Sequence, residues 1–150
     1  MRSFLLCVLF SSVASIANAT EPILNDDAVR GYFADVLRQG GFGHWKTERA
    51  AFLVRQENGQ YRCIAWPLDG HLYQQNFHGL MPARTVAIIH THPSERPRAS
   101  AADERTAAML SLPVFVLTPR NLYMITAEGV SVAVFENREW ASSLSSVRCK

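Results

Sequence analysis

The sequence predicts an α/β fold in which a mixed β-sheet is flanked by helices. Apolar segments of strand length alternate loosely with helical patterns along the chain, and short turns join neighbouring strands near both ends. Such turns are typical of hairpins, whereas strands that alternate with helices are typical of a sheet covered by helical layers.

A capped amphipathic helix is the first predicted element. Either Asn25 or Asp26 can cap it, it runs to about Arg38, and Gly40-Gly41 ends it. The apolar residues expected on one face of this helix are Val29, Tyr32, Phe33, Val36 and Leu37.

Two strands at 50–55 and 61–66 form the next predicted unit, a hairpin. The turn between them, 57–60, contains Asn58-Gly59, which is a strong hairpin signal. This turn places Glu57 at an exposed end of the hairpin, opposite the end near Glu48. Residues 67–82 are less regular, and four of them either line a substrate groove or are ordinary loop residues: His71, Tyr73, Phe77 and His78.

The second half of the chain supplies the remaining elements. A helix is predicted from Ala101 to Ser111, with Leu110 and Leu112 facing inward, and Asn137 is expected to cap a short final helix that contains Trp140 and Leu144. The predicted strands are 85–89, 114–117, 122–126 and 130–135.

The strongest candidate site follows the apolar run 86–89. Side chains two apart on an extended segment point the same way, so His90 and His92 can both present a ring nitrogen to one point. Asp103 is the obvious third ligand. Two histidines and a carboxylate leave a fourth position open for water, which is typical of catalytic zinc.

A helix cap is the alternative interpretation of Ser100 and Asp103, because Ser-x-x-Asp opens an apolar-periodic segment. The two interpretations are compatible, since a capped first turn would hold Asp103 still, as a metal ligand requires.

The whole arrangement resembles the signature of the JAMM (MPN+) zinc metallopeptidases: His-Thr-His, seven residues, Ser, two residues, Asp. These enzymes also carry an upstream glutamate near the start of an early strand, and Glu48 stands at that place. The similarity is strongest over 48–129 and is closest to small bacterial, often secreted members. It implies an MPN (JAB) fold, which is cytidine-deaminase-like.

The resemblance also implies a chemistry. One Zn²⁺ per chain would be held by His90, His92 and Asp103, Glu48 would act as general base, and Ser100 would donate a hydrogen bond to the developing oxyanion. The expected reaction is hydrolysis of a peptide or isopeptide bond in a peptide or protein substrate. The alternatives are a non-catalytic MPN-type scaffold or binding module, whose members usually lose metal ligands, and a secreted toxin or effector domain.

Residues 1–19 are expected to be a signal peptide, which leaves 20–150 as the metallopeptidase domain. Arg2, the apolar run 4–10 and the small-x-small sequence 17–19 form this pattern, and the run is too short to span a bilayer. The domain is therefore expected to be exported to the periplasm or secreted, without membrane association afterwards. The formal net charge of +2 gives no indication of a nucleic-acid partner.

Two cysteines remain after the expected removal of Cys7. Cys63 and Cys149 form a disulfide in the exported chain, or else they are one buried thiol and one free thiol in the tail. The chain contains no Cys-x-x-Cys, which argues against a zinc deaminase.

Overall fold

The structure is a computed structural model, and it describes residues 22–145 and 147–150. The expected signal peptide, 1–19, lies outside these residues. A short 3₁₀ turn at Gly41–Gly43 accompanies the regular elements, which in chain order are α1 (Asp27–Gln39), β1 (Ala50–Arg55), β2 (Tyr61–Ala65), β3 (Thr85–Thr91), α2 (Ala101–Leu110), β4 (Val114–Leu117), β5 (Leu122–Ile125) and β6 (Ser131–Phe135).

The six strands form one mixed sheet in the order β2-β1-β3-β4-β5-β6. The pairing of β3 with β4 is parallel and all the others are antiparallel. The predicted α/β class with a mixed sheet is therefore confirmed, as is the β1–β2 hairpin. The parallel pair arises because α2 connects β3 to β4, which lets the chain return to the same end of the sheet.

The sheet separates two apolar layers. Because side chains alternate along a strand, Ala87 and Ile89 of β3 pack on the α1 side, whereas Ile88 packs on the α2 side. The α1 side forms the larger core and includes Phe33 and Phe115, whose ring centroids are 5.0 Å apart. Both faces of β3 and β4 are therefore covered.

Helix α1 follows the prediction closely. The carboxylate of Asp26 accepts a hydrogen bond from the Val29 N–H at 3.0 Å, so Asp26 is the cap and the alternative, Asn25, is wrong. Gly40 ends the helix where its backbone meets Thr91, and a Cβ at Gly40 would lie 2.8 Å from the Thr91 Oγ1 atom. In the described part of the chain, no helix is both long and apolar enough to cross a membrane.

Two expectations about the helices are wrong. Leu110 is exposed, although Leu112 is half-buried, and the buried residue of α2 is Ala107. The helix ends at Ser111, which adopts a left-handed conformation. No final helix follows Asn137 within 137–145. Asn137 itself has φ of 53°, whereas a helix cap requires extended backbone, and Trp140 is instead fixed by its Nε1–H, which donates to the Thr118 carbonyl at 2.8 Å.

The C-terminal tail covers the outer edge of β2. The Ala65 N–H donates to the Lys150 carbonyl at 3.0 Å, and Cys63 and Cys149 are joined by a disulfide, so the bridged alternative is confirmed. The Cys149 N–H donates to the buried carboxylate of Asp35 on α1 at 2.9 Å. Tail, strand edge and first helix are thus linked, and the edge is not free to pair with another chain.

The disulfide is expected to stabilise the fold by restricting the unfolded chain. Replacing both Cys63 and Cys149 with alanine removes a bridge across 86 residues. The loss in unfolding free energy is expected to be at most about 4–5 kcal/mol, measured by urea titration. Reductant should lower the urea midpoint of the unaltered chain and leave the midpoint of the double variant unchanged. An equal shift of both midpoints would contradict a stabilising Cys63–Cys149 disulfide.

Asp35 is expected to make stability depend on acidity. Burial alone raises the pKa of this carboxyl, but hydrogen bonds from Cys149, Arg38 and Gln39 hold the pKa below its ordinary value of 3.8. A lowered pKa stabilises the fold above about pH 4, and that contribution disappears as the pH falls through the folded-state pKa. Asp35→Asn should cost about 1.5–3 kcal/mol at pH 7 and progressively less below pH 4, as followed by thermal unfolding.

Candidate metal centre

The end of β3 delivers two imidazoles to the α2 side of the sheet. His90 is the penultimate residue of β3, and His92 follows the strand with its N–H donating to the Leu117 carbonyl at 2.9 Å. Both side chains are buried, and their ring centroids lie 4.9 Å apart at nearly a right angle. The prediction that both histidines face one point is confirmed.

Thr91 lies between the two histidines, and its side chain points to the opposite face of the sheet. It holds the segment just before β1 in place by two hydrogen bonds to Arg49. Its Oγ1 atom accepts a hydrogen bond from the Arg49 N–H at 3.0 Å, and its own N–H donates to the Arg49 carbonyl at 2.9 Å. This contact, together with the pairing of Ala50 with His90, holds Glu48 beside the histidines.

Glu48 is buried and faces both imidazoles. Its Oε2 atom lies 3.7 Å from His90 Nδ1 and its Oε1 atom lies 3.9 Å from His92 Nε2. One potential ligand atom from each of Glu48, His90 and His92 lies within 4.8 Å of the others. This buried group could bind a metal ion.

Asp103 approaches the same two rings from the first turn of α2. Its carboxylate lies 3.4 Å from His90 Nε2 and 3.3 Å from His92 Nε2. A reciprocal capping box fixes this carboxylate: the Ser100 N–H and hydroxyl both donate to Asp103 Oδ2 at 2.7 Å, and the Asp103 N–H donates to the Ser100 hydroxyl oxygen at 3.2 Å. The cap predicted for Ser100 and Asp103 is therefore confirmed, and it directs Asp103 towards the histidines.

The separations between these atoms are of the size found around a small cation. Ligand bonds of about 2.0–2.1 Å in a tetrahedron place neighbouring ligand atoms about 3.3–3.4 Å apart. Asp103 reaches each imidazole at this separation through a different oxygen, Oδ1 towards His90 and Oδ2 towards His92. The His90 Nε2 atom is buried and has no hydrogen-bond partner among the described residues. Since buried polar atoms are rarely left without a partner, this nitrogen supports a ligand at the centre of the group.

The orientation of His92 is fixed by the backbone of the loop that follows it. Its Nδ1 atom lies 2.8 Å from the Arg98 carbonyl and 3.1 Å from the Arg96 carbonyl, both of which can only accept. A proton on Nδ1 leaves the Nε2 lone pair free to face Asp103 and Glu48. Backbone carbonyls of this kind commonly orient histidine ligands in metal sites.

Two groups of this centre, His92 and Asp103, have shifted pKa values. Burial by itself lowers the pKa of His92, but the hydrogen bond and charge of Asp103 and the charge of Glu48 raise it above its ordinary value. Burial raises the pKa of Asp103, but His92, His90 and Ser100 together hold that pKa well below its usual range. His92 and Asp103 therefore each favour the charged form of the other.

The other residues singled out in the sequence are not part of this group of potential ligands. Glu57 is in the exposed β1–β2 turn, 3.6 Å from Arg84, and His71 and His78 are exposed. Phe77 packs edge-on against Phe52 with ring centroids 4.8 Å apart, so it belongs to the core on the α2 side.

Sequence patterns gave no indication of some residues around the centre. Trp66 and Gln75 line a small cavity that also contacts His90 and Asp103. Gln75 lies in an irregular loop, and Trp66 marked only the end of a predicted strand. No fixed spacing connects either residue to the histidines, so only their positions in space associate them with the site.

Comparison of the chain with protein-family models, curated proteins and solved structures gives no match. A function for this chain must therefore be argued from the residues of the centre themselves.

Metal titration of single-residue variants should distinguish residues that bind the ion from residues that only lie near it. We expect the purified chain to bind about one Zn²⁺, with His92→Ala and Asp103→Asn weakening uptake by at least about tenfold, because structural and catalytic zinc sites need three or four protein ligands. Glu48→Gln should retain the ion. Circular dichroism of each variant checks that the fold persists. If Glu48→Gln loses zinc and Asp103→Asn keeps it, then Glu48 is the ligand in place of Asp103.

Proposed function

We propose that this chain is a zinc-dependent hydrolase of peptide or isopeptide bonds, of the JAMM (MPN+) type. The observation that carries the proposal is the convergence of Glu48, His90, His92 and Asp103, which three separate segments bring to one buried point. Burial and an open coordination position are what a metallopeptidase requires of such a group.

The distances suggest different roles for the two carboxylates. Asp103 is nearer to both imidazoles, at 3.3–3.4 Å, and would complete a ligand set with His90 and His92. Glu48 is farther, at 3.9 Å from His92 Nε2 and 3.7 Å from His90 Nδ1, the ring nitrogen that does not face Asp103, which suits a base that contacts the nucleophilic water. Bound zinc would supply Lewis acidity that lowers the pKa of a water towards about 7.

In this scheme Glu48 takes the proton of the attacking water and later returns it to the leaving amine. Its buried position beside two imidazoles keeps the carboxylate within reach of the reacting atoms and away from bulk solvent. Thr91 acts indirectly, because its contact with Arg49 keeps Glu48 in place.

Ser100 has two possible partners for its hydroxyl proton. In the structure this proton is directed at Asp103 Oδ2. Donation to an oxyanion would require the hydroxyl to rotate away from Asp103 when substrate binds. The start of the helix would still be held in that case, because the Ser100 N–H also donates to Asp103.

A non-catalytic scaffold is the competing function, and the centre favours an enzyme. A scaffold has no use for a buried glutamate that faces two histidines, since burying such groups without a ligand costs free energy. The disulfide between Cys63 and Cys149 favours an oxidising compartment, which is consistent with a periplasmic or secreted hydrolase acting on a peptide or protein substrate.

Replacement of Glu48 should separate metal binding from chemistry. Glu48→Gln preserves size and hydrogen-bonding capacity but cannot accept a proton at neutral pH. We expect hydrolysis of a broad peptide library, read by mass spectrometry, to fall by at least about 10²-fold while the bound zinc is unchanged.

Glu57→Gln is the matched control, because Glu57 is an exposed glutamate in the β1–β2 turn. It should leave turnover unaltered. Full activity of Glu48→Gln would exclude Glu48 as the base, and a chain that carries zinc but cleaves no library peptide in any sample would favour the scaffold.

A further inference from the structure

A separate open cleft lies beyond the ends of β3 and β4. It is lined by Ser94 and Pro97, which follow β3, and by Thr118 and Pro119, which follow β4. Its volume is about 390 Å³, which is within the range of small-ligand sites. These two strands form the parallel pair, and the crevice outside the carboxyl ends of parallel strands is a common ligand position in α/β sheets.

The loop that orients His92 forms one wall of this cleft. Pro97 lines the cleft, and its two neighbours, Arg96 and Arg98, are the residues whose carbonyl oxygens lie 3.1 and 2.8 Å from His92 Nδ1. A molecule in the cleft would therefore contact the same loop that holds a candidate metal ligand. The cleft is thus distinct from the metal centre but adjacent to it along the chain.

Another wall of the cleft carries an exposed aromatic ring on a strained turn. Phe42 has a φ of 52° and stands between Gly41 and Gly43, which also have positive φ. Bulky residues seldom adopt this conformation, and strained backbone is concentrated at functional sites. The turn is fixed in place, because the Ser94 N–H donates to the Gly43 carbonyl at 2.9 Å. The Phe42 ring is 42% exposed and lines the cleft, so the strain presents a ring to a ligand.

The polar groups around this ring favour a neutral ligand that carries many hydroxyl groups. Among the described residues, the charged side chains that line the cleft are Arg120 and Glu139, which have opposite signs and are both exposed. The other exposed polar side chains of the cleft are His44, Ser94 and Asn137. Together these side chains offer both hydrogen-bond donors and acceptors without a net charge, which suits hydroxyl groups because a hydroxyl can donate and accept.

Other ligand classes fit this cleft less well. A nucleic acid requires a net positive surface, whereas the charges that line the cleft cancel. A peptide bound as an added strand requires a free sheet edge, and β3 and β4 are both interior strands. The apolar residues placed around the cleft are Phe42, Pro97 and Pro119, which all have ring side chains. Flat apolar surfaces of this kind fit the C–H face of a sugar ring, whose hydroxyl groups then point to the polar rim.

We propose that this cleft binds a neutral saccharide. One sugar ring stacks on Phe42, and its hydroxyl groups form hydrogen bonds with Arg120 and Glu139. The substrate peptide is then one that is attached to carbohydrate, and the cleft holds the carbohydrate while the metal centre acts on the peptide. Saccharide binding itself needs no metal, but this role in substrate selection rests on the proposed function.

Saccharide binding can be tested without any turnover. The purified chain is applied, without added metal, to an array that carries neutral oligosaccharides, acidic oligosaccharides and unrelated peptides. The dissociation constant of the neutral oligosaccharide that binds best is then measured by isothermal titration calorimetry. We expect binding to neutral oligosaccharides, with the same dissociation constant before and after Zn²⁺ is added.

Variants of Phe42 separate the aromatic face from apolar bulk. Phe42→Leu keeps an apolar side chain but lacks the ring, and it should weaken saccharide binding by about three- to tenfold. Phe42→Tyr keeps the ring and should bind as the unaltered chain does. Leu80→Ala is the control, because Leu80 is an exposed apolar residue that does not line the cleft. Circular dichroism of each variant checks that the fold persists.

Saccharide binding and peptide hydrolysis fail separately. Absence of binding to every neutral oligosaccharide, binding to peptides or acidic oligosaccharides alone, or binding that Phe42→Leu leaves unchanged overturns the saccharide site, whether or not the chain cleaves peptides. A chain that binds saccharide but takes up no zinc overturns the proposed function alone. In an active chain, a peptide attached to the bound oligosaccharide should be cleaved faster than the free peptide, and Phe42→Leu should remove only this difference; equal rates in the unaltered chain overturn the role in substrate selection.

Discussion

The contact between Thr91 and the backbone of Arg49 holds the candidate centre together. Thr91 is almost completely buried and exchanges two hydrogen bonds with Arg49, one through its side chain and one through its backbone. It extends the β1–β3 pairing by one residue before Ala50, the first regular residue of β1. Without it, the backbone next to Glu48 would not be paired with β3, and the buried carboxylate would be held less firmly against the histidines.

The same residue explains the alternation that the site needs. Because Thr91 faces α1 and packs against Gly40, its neighbours His90 and His92 must face α2. One face of the strand end therefore packs into the core, and the other presents the two imidazoles of the candidate metal centre. The absence of a side chain at Gly40 allows this close approach, so the end of α1 and the position of the histidines are set by one contact.

Helix α2 illustrates how a helix with little buried surface can hold a carboxylate in a defined position. Only Ala107 of this helix is buried, and its apolar residues Met109 and Leu110 are exposed. Apolar packing alone therefore stabilises the position of α2 on the sheet only weakly. The capping box of Ser100 and Asp103 therefore serves two purposes, because it satisfies free N–H groups at the helix start and also fixes the carboxylate that faces His90 and His92.

Local signals in the sequence were sufficient to predict most of the elements and the convergence of His90 and His92 at the end of β3. They predicted α1, the hairpin at Asn58-Gly59 and the His90–His92 pair, because caps, tight turns and strand alternation depend on residues only a few positions apart. They failed at Asn137, whose N–H donates to the side chain of Asn121, a residue distant in the sequence. Tertiary packing was needed to show that Glu48 reaches the histidines, that Cys149 meets Cys63, and that Trp66 and Gln75 face the same cavity as His90. These are contacts between segments far apart in the chain, and their geometry depends on how the sheet and loops pack, which no spacing of residue types records.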